Sequence, residues 1–141
     1  MPNLIQFDDG SMGIQGSNLD AGAFIFASAE YVAASVDFSF FVAPRAMKVV
    51  GITLRPTVAG TDGGAVTAQV EKVPSGTAIG SGTDLMSATL NLKGTANTNQ
   101  TGTLSATASA LRLAAGDALG VDFTGVLTNA TGVITVAMIP L

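Results

Sequence analysis

From Ala23 to the C-terminus, apolar residues recur at every second position in short runs, and Gly, Pro, Asn or Asp interrupts each run before a helical repeat develops. A repeat of two sends successive side chains to opposite faces, so such a chain folds by pairing strands into sheets with one face turned to a core. Val66, Ala68 and Val70 form one apolar set, with Thr67, Gln69 and Glu71 between them. Val36, Phe38 and Phe40 form another, separated by Asp37 and Ser39. The pattern predicts an all-β fold, an antiparallel β-sandwich, with strands over 23 to 29, 35 to 43, 47 to 58, 65 to 73, 85 to 92, 99 to 107, 117 to 124 and 131 to 139. Val70→Asp is then expected to disrupt the core face, and Gln69→Asp on the other face to be nearly silent.

Within this pattern Val50, Ile52 and Leu54 alternate with Val49, Gly51 and Thr53, so that both faces are apolar or small and the strand is expected to be central, with Pro56 marking its end or an edge. Leu113-Ala114-Ala115-Gly116-Asp117 supplies turn geometry just before Leu119, Val121 and Phe123 alternate. Residues 128 to 132 then form a loop, and the last strand is expected to pair with the one before it as a terminal hairpin. Helical signal is confined to one turn within 105 to 113.

Residues 1 to 22 differ in texture. Leu4, Ile5, Phe7, Met12, Ile14 and Leu19 are isolated apolar residues among Asp8, Asp9, Asp20 and four glycines, and no period persists. The expected organisation is an extended N-terminal arm over 1–22 and a sandwich domain over 23–141, the arm being ordered when a partner takes up its scattered hydrophobes.

The chain of 141 residues is long enough to bury one core without disulfides or a structural metal, and it has no cysteine. Hydrophobic residues make up 48% but charged residues only 11%, well below the usual quarter or so. An exterior of Ser, Thr, Asn, Gln and Gly is poorly protected from association and suits a protein that lies against partners or copies of itself. A net charge of -4, with six scattered Lys and Arg, offers no basic stripe for phosphates, so nucleic-acid binding is not expected. The N-terminus has no signal-peptide pattern and no stretch approaches eighteen apolar residues, so the expectation is a soluble protein made in the cytoplasm, away from membranes.

Catalysis would have to rest on carboxylates or on Ser and Thr, because His and Cys are absent. Asp117 and Asp122 sit five apart on one expected strand and point apart, as do Glu71 and Lys72, so these charges read as solvated or cross-strand groups. No enzyme is expected. Asp8-Asp9-Gly10 and Thr61-Asp62-Gly63-Gly64 lack the spacing of a calcium loop and read as turns, and Gly80-Ser81-Gly82 lacks a phosphate-binding pattern and reads as a connector. Neither cofactor nor metal is expected. The acceptor triplets at Asn99 and Asn129 carry meaning only in a secreted protein. Phe24, Phe26, Phe38, Phe40 and Phe41 read as core residues, with Phe41 turned to a partner because it breaks the alternation of Phe38 and Phe40.

Val70-Glu71-Lys72-Val73-Pro74-Ser75-Gly76-Thr77-Ala78-Ile79-Gly80-Ser81-Gly82, then Leu113-Ala114-Ala115-Gly116-Asp117-Ala118-Leu119, then Asp122-Phe123-Thr124-Gly125 resemble stretches of the capsid decoration, or cement, proteins of tailed bacteriophages. The resemblance covers about half of the chain and does not extend to the arm. It implies an eight-stranded sandwich, with the jelly roll among its forms, a homotrimer seated at capsomer junctions, and the major capsid protein as partner on the outer capsid surface of a virion made in the host cytoplasm. The partner-binding candidates are Leu4, Ile5, Phe7 and Ile14 in the arm and Phe41 in the body. A receptor- or glycan-binding module of a phage fibre or surface adhesin is the alternative, since it shares this fold class and differs in needing a groove with exposed aromatics.

Overall fold

The computed structural model describes residues 4–6, 12–14 and 23–141, the first two stretches by backbone alone. In the arm, β1 (Leu4–Gln6) and β2 (Met12–Ile14) pair antiparallel, Leu4 opposite Ile14 and Gln6 opposite Met12. The scattered hydrophobes gave no sign of that pairing. Phe7, Asp8, Asp9 and Leu19 lie outside the described residues.

The body contains β3 (Ile25–Tyr31), β4 (Phe38–Val42), β5 (Met47–Val58), β6 (Thr67–Val73), β7 (Thr83–Asp84), β8 (Leu90–Asn91), β9 (Gln100–Thr101), β10 (Arg112–Leu113), β11 (Ala118–Thr124) and β12 (Thr131–Pro140). One antiparallel sheet runs β10-β5-β12-β3 with β9 also on β5, and the other runs β4-β11-β6-β7 with β8 also on β6. The first and last strands of the body are thus neighbours, and six of the nine steps between chain-adjacent strands cross from one sheet to the other. That order is a jelly roll, an all-β sandwich. It overturns the terminal hairpin: β11 pairs with β4 and β6, while β12 lies between β3 and β5. The loop at 128–130 carries the chain between sheets, with Asn129 at φ 61 and its amide donating to Thr61 Oγ1 at 3.0 Å.

The two inner faces meet in a core of Tyr31, Met47, Val49, Ile52, Leu54, Ile134, Val136 and Met138 from one sheet and Ala68, Val70, Leu119 and Val121 from the other. β5 is central, as its two apolar faces imply, but its alternation changes phase. Ala137 opposes Gly51 and Met138 opposes Val49, leaving Val50 as the extra residue of a bulge. Val50 therefore turns outward while Val49 and Ile52 both face the core. The strand runs past Pro56 to Val58, over the expected span of 47–58. In β4, Leu119 opposes Phe41 and Gly120 opposes Ser39, so Phe40 is the extra residue there. The broken alternation that singled out Phe41 is this bulge. The expected strands at 85–92 and 99–107 reduce to the two-residue pieces β8 and β9 and a single bridge between Met86 and Leu104, and 105–113 holds turns followed by β10.

The turn before β11 has the predicted chemistry. Asp117 Oδ2 accepts from the Ala114 N–H at 2.8 Å, and Gly116 takes the left-handed φ of 92 that the tight reversal requires. At the other end of β12, Gly132 lies directly opposite Tyr31. A Cβ at residue 132 would fall 2.6 Å from both the Tyr31 hydroxyl and the Arg55 carbonyl oxygen, so the ring occupies the space a side chain would need. The Tyr31 hydroxyl is buried without a hydrogen-bond partner, and burial pushes its pKa up to about 12.

β6 corrects the sequence reading most. Both of its faces are covered, because 74–86 folds back over the outer one: Gln69 Nε2 donates to the Met86 carbonyl at 3.2 Å, Glu71 Oε2 accepts from the Gly80 N–H at 2.8 Å, and Ile79 packs where a Cβ on Gly120 would be. Gln69 and Glu71 are therefore buried, and Glu71 is not a solvated strand charge. The Gly80-Ser81-Gly82 connector is seated tightly, since a Cβ on Gly82 would lie 2.7 Å from the Lys72 carbonyl oxygen.

Two stability predictions follow from these contacts. Gln69→Asp removes the donor to Met86 and buries a carboxylate, so it should cost about 2 kcal/mol or more in urea denaturation rather than be silent; an unchanged midpoint would contradict the covered face. Tyr31→Phe removes an unsatisfied buried hydroxyl and should leave stability unchanged or raise it by about 1 kcal/mol; a loss of more than about that amount would mean the hydroxyl has a partner.

Candidate interaction surfaces

The charged groups of the body tie its loops together. Lys72 Nζ donates to the Ser109 and Arg112 carbonyls, both at 3.0 Å, and Lys93 Nζ donates to the Asp62 and Gly64 carbonyls at 2.7 and 3.0 Å. The 61–64 turn thus turns its carbonyls to an ammonium, and Asp62 Oδ2 accepts from Gly64 N–H as turn chemistry predicts. Arg55 reaches the Asn99 side-chain oxygen, and Asp37 Oδ1 accepts from the Phe123 N–H at 2.8 Å. Among the described residues no group of three His, Cys, Asp or Glu side chains could hold a metal ion.

One carboxyl is strained. Asp122 stands opposite Gln69 on the outer face of β11, and its pKa is raised by desolvation first and then by the charges of Asp37 and Asp84. Partial desolvation, with the like charges of Asp37 and Asp84 added to it, thus disfavours the ionised form of Asp122.

The exposed apolar residues are more informative. Phe24 and Phe26 were expected in the core but are 60% and 65% exposed, their rings stacked with centroids 6.2 Å apart. Phe26 overhangs a shallow groove on the outer face of the first sheet, of about 310 Å³, floored by Gly51, Thr53, Thr135 and Ala137. Phe38, Phe40 and Phe41 are half-buried against the core, and Phe38 and Phe123 approach to 6.1 Å. Val32, Val36 and Val42 are exposed. Of the candidate partner-binding residues, Leu4, Ile5 and Ile14 lie on the arm hairpin, Phe7 lies outside the described residues, and Phe41 lies on β4 at the sandwich edge. Phe24 and Phe26 were missed because an aromatic at every second position looks the same in sequence whether its face turns in or out; Ala27, Ala29 and Tyr31, which follow them, are the inward set.

With this geometry in view, comparison with known proteins adds one firm result. No protein-family model and no curated protein matches the chain. Its fold is shared with a chain of the cyanophage Pam1 capsid asymmetric unit. The two superpose with a TM-score of 0.53 at 14% identity over 84% of each chain. A chain in the structure of infectious bursal disease virus Gx strain aligns with 85% of this chain but only 30% of its own length, at 15% identity and a TM-score of 0.37, too loosely to bear on the fold.

The Asp122 repulsion gives a pH test. A carboxyl whose folded pKa is raised binds its proton more readily in the folded state, so its penalty is absent below the ordinary carboxylate pKa of about 4 and complete above the raised value. Asp122→Asn should therefore raise the denaturation midpoint at pH 7 and leave it unchanged at pH 3; a variant with no gain at pH 7 would show that the outer face of β11 is better solvated than its geometry implies.

Proposed function

We propose that this chain is a structural virion protein that binds the outside of a bacteriophage capsid and decorates or stabilises it, with the major capsid protein as its partner and no catalytic role. The observation that carries the reading is the jelly-roll fold held in common with a chain of a cyanophage capsid asymmetric unit. The cement-protein resemblance of 70–82, 113–119 and 122–125 adds to it, as does a surface with 11% charged residues and stacked, exposed phenylalanines. Such a surface is compatible with a protein much of whose exterior ends up in subunit contacts.

On this reading the labour is divided. The sandwich over 23–141 associates with copies of itself, as a trimer in the cement-protein pattern, and residues 1–22 attach it to the shell through Leu4, Ile5, Phe7 and Ile14. Two paired strands of three residues cannot hold themselves together in water, so the β1–β2 hairpin needs a surface to lie on. Several linked arms would then act together, turning weak single contacts into a durable attachment.

Deleting residues 1–20 tests this division. The truncated protein should keep its oligomeric state in sedimentation but lose at least about a hundredfold in affinity for purified capsids, as expected from three or four apolar side chains at roughly 1.5 to 3 kcal/mol each. A truncated protein that is monomeric yet co-sediments fully with capsids would reverse the two roles. Binding of the intact protein to immobilised glycans and not to capsids would replace the reading with the receptor-binding alternative.

A further inference from the structure

We infer that the side of the sandwich built by β3, β4 and the turn between them is the surface on which a second copy of this chain is held. This rests on the proposed self-association of the body and names the face that performs it. β3 ends one sheet and β4 ends the other, so two strand edges come together on one side of the molecule. Of the nine exposed large hydrophobic residues of the body, five fall between residues 24 and 42: Phe24, Phe26, Val32, Val36 and Val42. Val36 is the most open at 75%.

Sheet edges in soluble proteins are normally guarded by Lys, Pro or a covering segment, because an open ladder accepts any passing strand. Among the described residues, β3 and β4 carry neither a lysine nor a proline as guard. No Lys or Arg occurs before Arg45, and β3 and β4 contain no proline. The only charges from 24 to 42 are Glu30 and Asp37, and Asp37 is already bonded to the Phe123 N–H. A bulge at Phe40 interrupts β4, but β3 runs unbroken through Ala27, Ser28 and Ala29.

Area argues for a copy as occupant. At their observed exposures, the five side chains present on the order of 500 Å², near the upper end of what a monomer leaves open and more than half of the roughly 800 Å² each partner contributes to a stable interface. The remainder would come from the half-buried Phe38, Phe40 and Ile25 and from backbone at the edges. Charge argues the same way. Glu30 and Asp37 are the only charges from 24 to 42, two of the ten Asp and Glu of a chain of net charge -4, so this side brings few like charges together when it meets its own kind.

The test is sedimentation of the full-length protein over a range of concentrations without any capsid present. Phe26→Lys and, separately, Val36→Lys should each weaken self-association at least about tenfold, the effect of losing one buried apolar side chain and stranding a charge. Thr83→Lys, on β7 at the opposite edge of its sheet, should leave it unchanged. Both changed positions are solvent-exposed in the single chain, so circular dichroism and the urea midpoint should match those of the unaltered protein, and Val36→Lys on the turn still reports if Phe26→Lys folds poorly. Unaltered protein that stays monomeric to about 100 μM, or variants that fold and associate as before, would overturn the assignment. Failure to bind capsids would leave this result standing, so the interface and the capsid reading fail separately.

Discussion

The ladder between β5 and β12 is the joint on which the molecule depends. It pairs residues 47–58 with residues 131–140 across more than half of the chain, places the last strand against the first through β3, and closes one sheet. Met47, Val49, Ile52 and Leu54 on one strand and Ile134, Val136 and Met138 on the other are all fully buried by it, each contributing roughly 1.5 to 3 kcal/mol against the entropy of closing so long a loop. Its two bulges, at Val50 and near Thr131, set which side chains face the core on either side of them. The same crossing topology brings β3 and β4, one edge strand from each sheet, to one side of the molecule, so the surface proposed for self-association is a consequence of how the core is closed.

The sequence carried the fold class, the positions of the long strands and the turn at 113–117, because these depend on local alternation and turn chemistry. Strand partners were not local. The jelly roll sends adjacent strands to different sheets, and nothing in residues 117–139 distinguishes a hairpin from a crossing. Bulges were equally hidden: Val49-Val50-Gly51-Ile52 reads as continuous alternation until a partner shows that Val50 has no opposite number. Burial of Gln69 and Glu71 depends on a segment from 74 to 86 that returns over β6, a contact between stretches with no shared pattern. Tyr31 and Gly132 are likewise a pair only in three dimensions, 101 positions apart in sequence and directly opposite in the sheet.

The candidate surfaces were legible in part. Low charge pointed to a life in contact with other chains, and the spaced hydrophobes of the arm pointed to attachment. Which body residues remain open was not readable, since Phe24 and Phe26 share the spacing of core phenylalanines. Once the sheets are in place, the charge distribution becomes meaningful: Lys72, Lys93 and Arg55 are committed to loop carbonyls and to Asn99, and no Lys or Arg lies between residues 24 and 42, so β3 and β4 themselves carry no cation.

We propose that this jelly roll sits on the outside of a capsid, held there by its arm and joined to its copies along β3 and β4. Electron microscopy of the assembled particle, with and without this protein, tests it most directly. The account predicts extra density of sandwich size outside the shell only when the protein is present, in a fixed ratio to the capsid subunits and with the β3–β4 side buried between copies. Identical reconstructions with and without the protein, or density confined to a tail fibre, would contradict it.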